Sequence, residues 1–243
     1  MFLSPYFSAD GEQFQFTRQQ ASHFAKKVAE DFNPIHDEDN KRFCVPGDLL
    51  FAVLLSKEGV SSKMSFKFAG MVNDGVSLHI TEKGETDSAV VDANGKEYLH
   101  MTHSGDVNHD AGFIEHVVRS YVKFSGMNFP HIMVPLMEQQ QVMINCDRPL
   151  VIYESMEVEF NRIDLKHPDV EYIGSTFDVE GKRGLVTVNF NFVEDGEIVG
   201  KGLKRLVASG LKPYSSEGID ELVNHFNERK AYFLDLFEKE NAA

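Results

Sequence analysis

A chain of 243 residues, 42% hydrophobic and 26% charged, makes one large domain or two small ones and can bury a core rather than stay disordered. Its net charge of −14 argues against nucleic acid, whose phosphates it would repel. Cys44 and Cys146 make no disulfide framework, Leu49–Leu55 is too short an apolar run to span a bilayer, and Met1–Pro5 lacks the basic and apolar regions of a secretory signal, so a cytoplasmic protein with no membrane partner is expected.

Gln13–Thr17 alternates polar and apolar residues and reads as a short strand. Thr17 and Gln20 have the spacing of a capping box, so a helix should begin at Arg18, bury Ala21, Phe24, Ala25 and Val28, and end near Glu30. A polar loop follows, Asp31-Phe32-Asn33-Pro34-Ile35-His36-Asp37. An acid and an imidazole five residues apart cannot share a helix face, but a fixed turn between them can make them converge. Pro34 locks its own φ and pushes Asn33 out of the α region, and Asn33 can bond the backbone of its own turn.

Pro46 suits the first position of the next helix, whose stretch Leu49–Leu55 is apolar all round and should be enclosed by protein, with Gly59 as its C-terminal cap. Alternating Met64, Phe66 and Phe68, then Val76, Leu78 and Ile80, predict strands, with a hairpin turning at Asn94-Gly95. Ser104–Ala111 reads as a linker. The order then repeats weakly: a helix marked by Phe113, Val117, Val118 and Tyr121, a loop over Ser125–His131, a second apolar helix over Val134–Ile144, and strands over Met156–Phe160, Val170–Val179, Val186–Phe192 and Ile198–Val207. In that second loop Asn128, Pro130 and His131 remain, but Met127 stands near the place of the acid and the histidine is at the wrong distance. Ser215–Glu240 reads as an acidic amphipathic helix with Ile219, Leu222, Val223, Phe226, Phe233 and Phe237 on one side.

The stretch Glu30-Asp31-Phe32-Asn33-Pro34-Ile35-His36 resembles the motif of the MaoC-like, (R)-specific enoyl-CoA hydratases, roughly Gly-Asp-x-Asn-Pro-(Leu/Ile/Val)-His, matching everywhere except the leading glycine. The similarity continues through Val45-Pro46-Gly47-Asp48-Leu49-Leu50 and reaches Ser65-Phe66-Lys67-Phe68, covering about residues 14 to 80. The resemblance implies an α+β chain of two hot-dog units, each a curved antiparallel sheet wrapped around a central helix. On this reading residues 1–107 form the unit with the motif, 108–213 a degenerate second unit, and 214–243 a C-terminal helix. Open sheet edges would make a further homodimer plausible.

The implied activity is hydration of a 2-enoyl thioester, or dehydration of the 3-hydroxyacyl thioester, with an acyl-CoA more expected than an acyl carrier protein. Asp31 and His36 would be catalytic, with the Gly47 amide as oxyanion donor. Asn33, Pro46, Asp48 and Leu50 would border the substrate, and no metal or other cofactor is called for. Chemistry agrees with these assignments. An imidazole titrates near neutrality and can take a proton from water, and the first free N–H groups of an enclosed helix can face an enolate. A polyanion such as CoA would need basic residues at the pocket mouth; Lys41, Arg42, Lys63, Lys67, Lys204 and Arg205 are candidates.

Two departures bear on this expectation. Glu30 replaces the family's glycine beside the acid. Asp48 would compete for the helix N–H groups and repel an enolate, so Asp48→Leu is expected to leave activity unchanged or raise it. The alternatives are a hot-dog protein that has lost chemistry and binds an acyl ligand or protein partner, or an acyl-CoA thioesterase. His100, His103 and His109 with Asp106 and Asp110 also invite a metal reading, but His100 and His103 fall at odd spacing on a strand and face opposite ways.

Overall fold

The computed structural model describes residues 2–127, 129–146 and 150–242. The capping box forms: the Gln20 amide donates to Thr17 Oγ1 at 3.1 Å, and the Thr17 amide donates to Gln20 Oε1 at 3.0 Å. It starts α1, Arg18–Lys27. Helix α2, Gly47–Glu58, is buried from Asp48 to Leu55 and ends at Gly59, whose φ of 85° admits glycine most easily. Each fully buried leucine, valine or phenylalanine on it contributes about 1.5–3 kcal/mol of transfer free energy.

All strands of the main sheet pair antiparallel. They are β1 (Ser8–Asp10), β2 (Gln13–Gln15), β3 (Val60–Phe68), β4 (Leu78–Glu82), β5 (Asp87–Asp92) and β6 (Glu97–Asn108), then β8 (Val151–Phe160), β9 (Asp169–Glu180), β10 (Arg183–Glu194) and β11 (Glu197–Ser209). The short β7 (Val142–Met143) pairs apart from them with β12 (Lys212–Pro213). The ten-stranded order is β1-β2-β4-β5-β6-β3-β8-β11-β10-β9. Read outward from the central β3–β8 pair, the first half runs β3, β6, β5, β4 and the second β8, β11, β10, β9, the same relative order in each. The enclosed helix α2 packs in one core with Phe66, Leu78, Val90 and Leu99 of the first half's strands, an α+β arrangement with the layout of a hot-dog unit.

The second half differs from its expectation. Ser104–Asn108 is not linker but the end of β6, paired to β3 through Ser61↔Val107 and Val60↔Asn108. Helix α3, Ala111–Gly126, therefore follows almost at once, and it absorbs Ser125 and Gly126 of the expected loop. Phe129–Met133 is helical too, and Asn128 lies outside the described residues. The expected second apolar helix is only α4, Val134–Gln140, stopped where Gln141 takes a left-handed φ of 53° and the chain turns into β7. Helix α3 takes much of the space instead. Its Tyr121 ring packs on Phe51 of α2 at 5.1 Å and on Phe190 of β10 at 5.6 Å, bridging the halves.

The C-terminal helix α5, Ser216–Ala242, lays Phe226, Phe233 and Phe237 in a small cluster with Phe32. Among the described residues no helix is long and apolar enough to cross a membrane.

Candidate active site

The turn after α1 forms as the proline requires. Asn33 is extended (φ −62°, ψ 124°), its side chain accepts from the Ile35 amide at 3.1 Å, and Pro34–His36 makes a single tight turn. Asp31 Oδ1 accepts from the Asn33 amide at 2.8 Å. Asn40 and the Cys44 amide hold the far side, donating to the Pro34 and Ile35 carbonyls at 2.7 and 3.0 Å. The result brings His36 Nε2 to 3.5 Å from Asp31 Oδ2.

His36 Nδ1 lies 2.6 Å from the Cys44 carbonyl oxygen. A carbonyl can only accept, so Nδ1 carries the hydrogen and Nε2 presents its lone pair toward Asp31. Burial pushes the imidazole below its ordinary value, against the pull of the Asp31 charge. The neutral form is thus favoured, and two acceptors face each other across a gap that one water can bridge with its two O–H groups. Both side chains keep some exposure, 13% and 24%.

Glu30 stands where the resembled motif has glycine. Its φ is 52°, a left-handed conformation that costs a side-chain-bearing residue about 1–2 kcal/mol and glycine little. The Glu30 carboxylate points away from the pair and meets Lys123 of α3 at 2.8 Å.

Gly47 opens α2, and the Pro46 carbonyl accepts from the Leu49 amide at 3.0 Å. The space its missing side chain leaves is not open: a β-carbon there would stand 2.9 Å from the Phe68 ring, which stacks on Tyr153 at 4.0 Å. Leu50, expected to border the substrate, is in the core with 2% exposure. Asp48 lies in a buried polar cluster. Ser125 Oγ donates to Asp48 Oδ2 at 2.6 Å, and Lys204 Nζ donates to Ser125 Oγ at 2.5 Å and sits over the Tyr153 ring at 4.3 Å. The Tyr121 and Tyr153 hydroxyls bond to each other beside it. Burial raises the Asp48 carboxyl and lowers the Lys204 ammonium, each opposed by the other's charge. Asp48 Oδ1 is buried without a hydrogen-bond partner.

Lys204 is therefore no pocket-mouth cation, and Lys63 is spent on Glu159 at 2.8 Å. His100 binds Asp87 at 2.9 Å, and His103 reaches Ser61 at 3.5 Å. Sequence reasoning missed Ser125, Tyr121 and Tyr153, whose partners are far away in the chain. It also missed Lys26, which donates to the Asp31 and Asn33 carbonyls at 2.7 and 3.0 Å. A lysine on the apolar side of α1 was the available signal. A concavity of about 740 Å³ opens elsewhere, across β3, β6, β8, β10 and β11, with Ser65, Thr102, Asn189 and Lys201 in its lining.

No curated protein matches the chain in sequence. Among solved structures it is similar to a tesB protein of Mycobacterium avium subs paratuberculosis, with a TM-score of 0.44 and 11% identity over 85% of this chain and 96% of that one. It is likewise similar to an acyl-CoA thioesterase II, TesB2, of Mycobacterium marinum, with a TM-score of 0.42 and 9% identity over 89% and 99%. A MaoC-like dehydratase gives a TM-score of 0.44 and 9% identity over 84% and 98%. By sequence, the family model described as protein of unknown function (DUF3581) matches residues 1–217, and the chain belongs to that family.

Proposed function

We propose that this protein adds water to a 2-enoyl thioester, or removes it from the 3-hydroxyacyl thioester, with His36 and Asp31 as the acid–base pair. The observation that carries the reading is the placement of the His36 ring, with Nδ1 2.6 Å from the Cys44 carbonyl and Nε2 facing Asp31 Oδ2 at 3.5 Å. His36 Nε2 takes a proton from the held water as its oxygen bonds to C3. The electron pair of the C2–C3 double bond moves toward the thioester oxygen, and as the enolate collapses the proton taken up by His36 passes through the Asp31 carboxylate to C2. Transfer between the two groups resets them, so the net addition is one hydrogen and one hydroxyl.

The developing enolate needs donors placed beforehand, and the Gly47 and Asp48 amides come before the first helical bonds of α2, which the Leu49 and Leu50 amides make to the Pro46 carbonyl. The Phe68 ring fills the side of Gly47 that a β-carbon would occupy. A thioester of CoA is the proposed substrate, in a chain of two hot-dog units spanning 1–107 and 108–213 with a C-terminal helix after them. The mirrored strand order about the β3–β8 pair supports the two-unit division. A homodimer is part of the proposal only through the open edges at β1 and β9.

One observation favours a second reading. The unpartnered Asp48 Oδ1 beside Gly47 could hold a water for attack on the thioester carbonyl itself, giving hydrolysis. A panel of 2-enoyl-CoA substrates of increasing length, with products identified directly, separates the cases. Hydration leaves the thioester intact, hydrolysis releases a free acid and thiol, and no reaction supports a protein that only binds.

A further inference from the structure

A chain of buried charge runs from the C-terminal helix to the motif turn. Arg229 of α5 meets Asp37 Oδ2 at 2.5 Å, and Asp37 Oδ1 meets Lys26 Nζ of α1 at 3.2 Å. Lys26 Nζ in turn donates to the carbonyls of Asp31 and Asn33. Asp37 and Lys26 are each 3% exposed, so these charges interact with little screening by water. Two aromatic contacts fix the geometry: Lys26 Nζ lies over the Phe233 ring of α5 at 5.3 Å, and Phe32, between the two residues Lys26 holds, meets Phe226 at 5.8 Å.

We propose that Arg229 is a positioning residue for the Asp31–His36 pair, acting through Asp37 and Lys26. The proposal rests on the hydratase reading for its activity test. With Arg229 present, Lys26 and Arg229 balance Asp37 and Asp31. Without it, the Asp37 charge is answered by Lys26 alone, which is drawn away from the two carbonyls that hold the turn. The family match ends at residue 217, so nearly all of α5, and Arg229 with it, lies beyond the matched segment.

The groups that set the charge of His36 are Asp31 and Asp37 of its own loop, Lys26 from α1 and the Cys44 carbonyl, with Arg229 reaching it through Asp37. Neutralising Arg229 leaves more of the Asp37 charge to favour protonated His36. The acid limb of kcat/KM should then move to higher pH.

The test compares wild type, Arg229→Gln and Arg229→Lys on a 2-enoyl-CoA that the wild type hydrates. Arg229→Gln should lower kcat about 10-fold or more, as displaced catalytic groups do, with KM nearly unchanged and the acid limb moved to higher pH. Arg229→Lys should return the limb and most of kcat. Equal losses in both variants, or an unmoved limb, overturn the proposal. If Arg229→Gln does not fold, Asp37→Asn breaks the same chain with opposite sign and should move the limb to lower pH; an unmoved limb there also overturns it. If the wild type hydrates no enoyl thioester, the function reading falls, and amide exchange at Asn33 decides the positioning role alone. Faster exchange in Arg229→Gln is expected, and unchanged exchange contradicts it.

Discussion

Gly126 ends α3 directly against the backbone of Ala29: a β-carbon on Gly126 would stand 2.8 Å from the Ala29 carbonyl carbon and 2.9 Å from the Asp31 nitrogen. Both are closer than a carbon can come to rigid backbone, so α3 and the motif turn fit only with glycine there. Gly126→Ala should push the turn away from α3. Overpacking of this kind costs about 1–3 kcal/mol, partly offset by about 1 kcal/mol of better helix propensity. The loss of hydration activity should exceed what that stability change explains. Denaturant melts and turnover on the same preparation check both.

The buried Asp48–Ser125–Lys204 cluster changes what is expected of Asp48→Leu. The sequence suggested that removing this charge would be harmless. In the fold it strands a buried lysine, which costs about 3–5 kcal/mol. Lys204→Met should strand the carboxylate similarly, while the double variant Asp48→Leu/Lys204→Met should recover most of the loss. A double-mutant cycle by urea unfolding checks this; additive losses would contradict the coupling.

The pH dependence follows from His36. Its value in the fold lies below the unfolded 6.5, so the unfolded chain binds the extra proton first as pH falls. Its contribution to stability is fully present above about 6.5 and is lost as pH drops through the folded value. For the same reason hydration activity should persist somewhat below pH 6.5 before its acid limb falls. A stability series from pH 8 to 4 on wild type and His36→Gln isolates this share, since the variant should show a shallower decline.

Local signals carried much of this fold. The capping box at Thr17–Gln20, the apolar run Leu49–Leu55 of α2 and the alternating strands need only near neighbours, and the chain reports them locally. The Asn33-Pro34 turn is equally local, because a ring and a side-chain amide fix it without outside help. What escaped depends on distance. Helix α3 fills space that α4 is too short to fill, and nothing between residues 111 and 144 announces that exchange. Asp48 looked like a hazard to an enolate because Ser125 and Lys204, its partners, are 77 and 156 positions downstream. The departure at Glu30 was visible, but its meaning required a backbone angle.

The central claim is that His36 and Asp31 together activate water on an enoyl thioester. The most direct measurement is the turnover of wild type, His36→Ala and Asp31→Asn on one 2-enoyl-CoA, with the product identified and folding checked by melting. Wild type should yield the 3-hydroxyacyl thioester, and each variant should remain folded while losing about 10²–10⁴-fold in turnover. A free acid as the product, or variants as active as wild type, would contradict it.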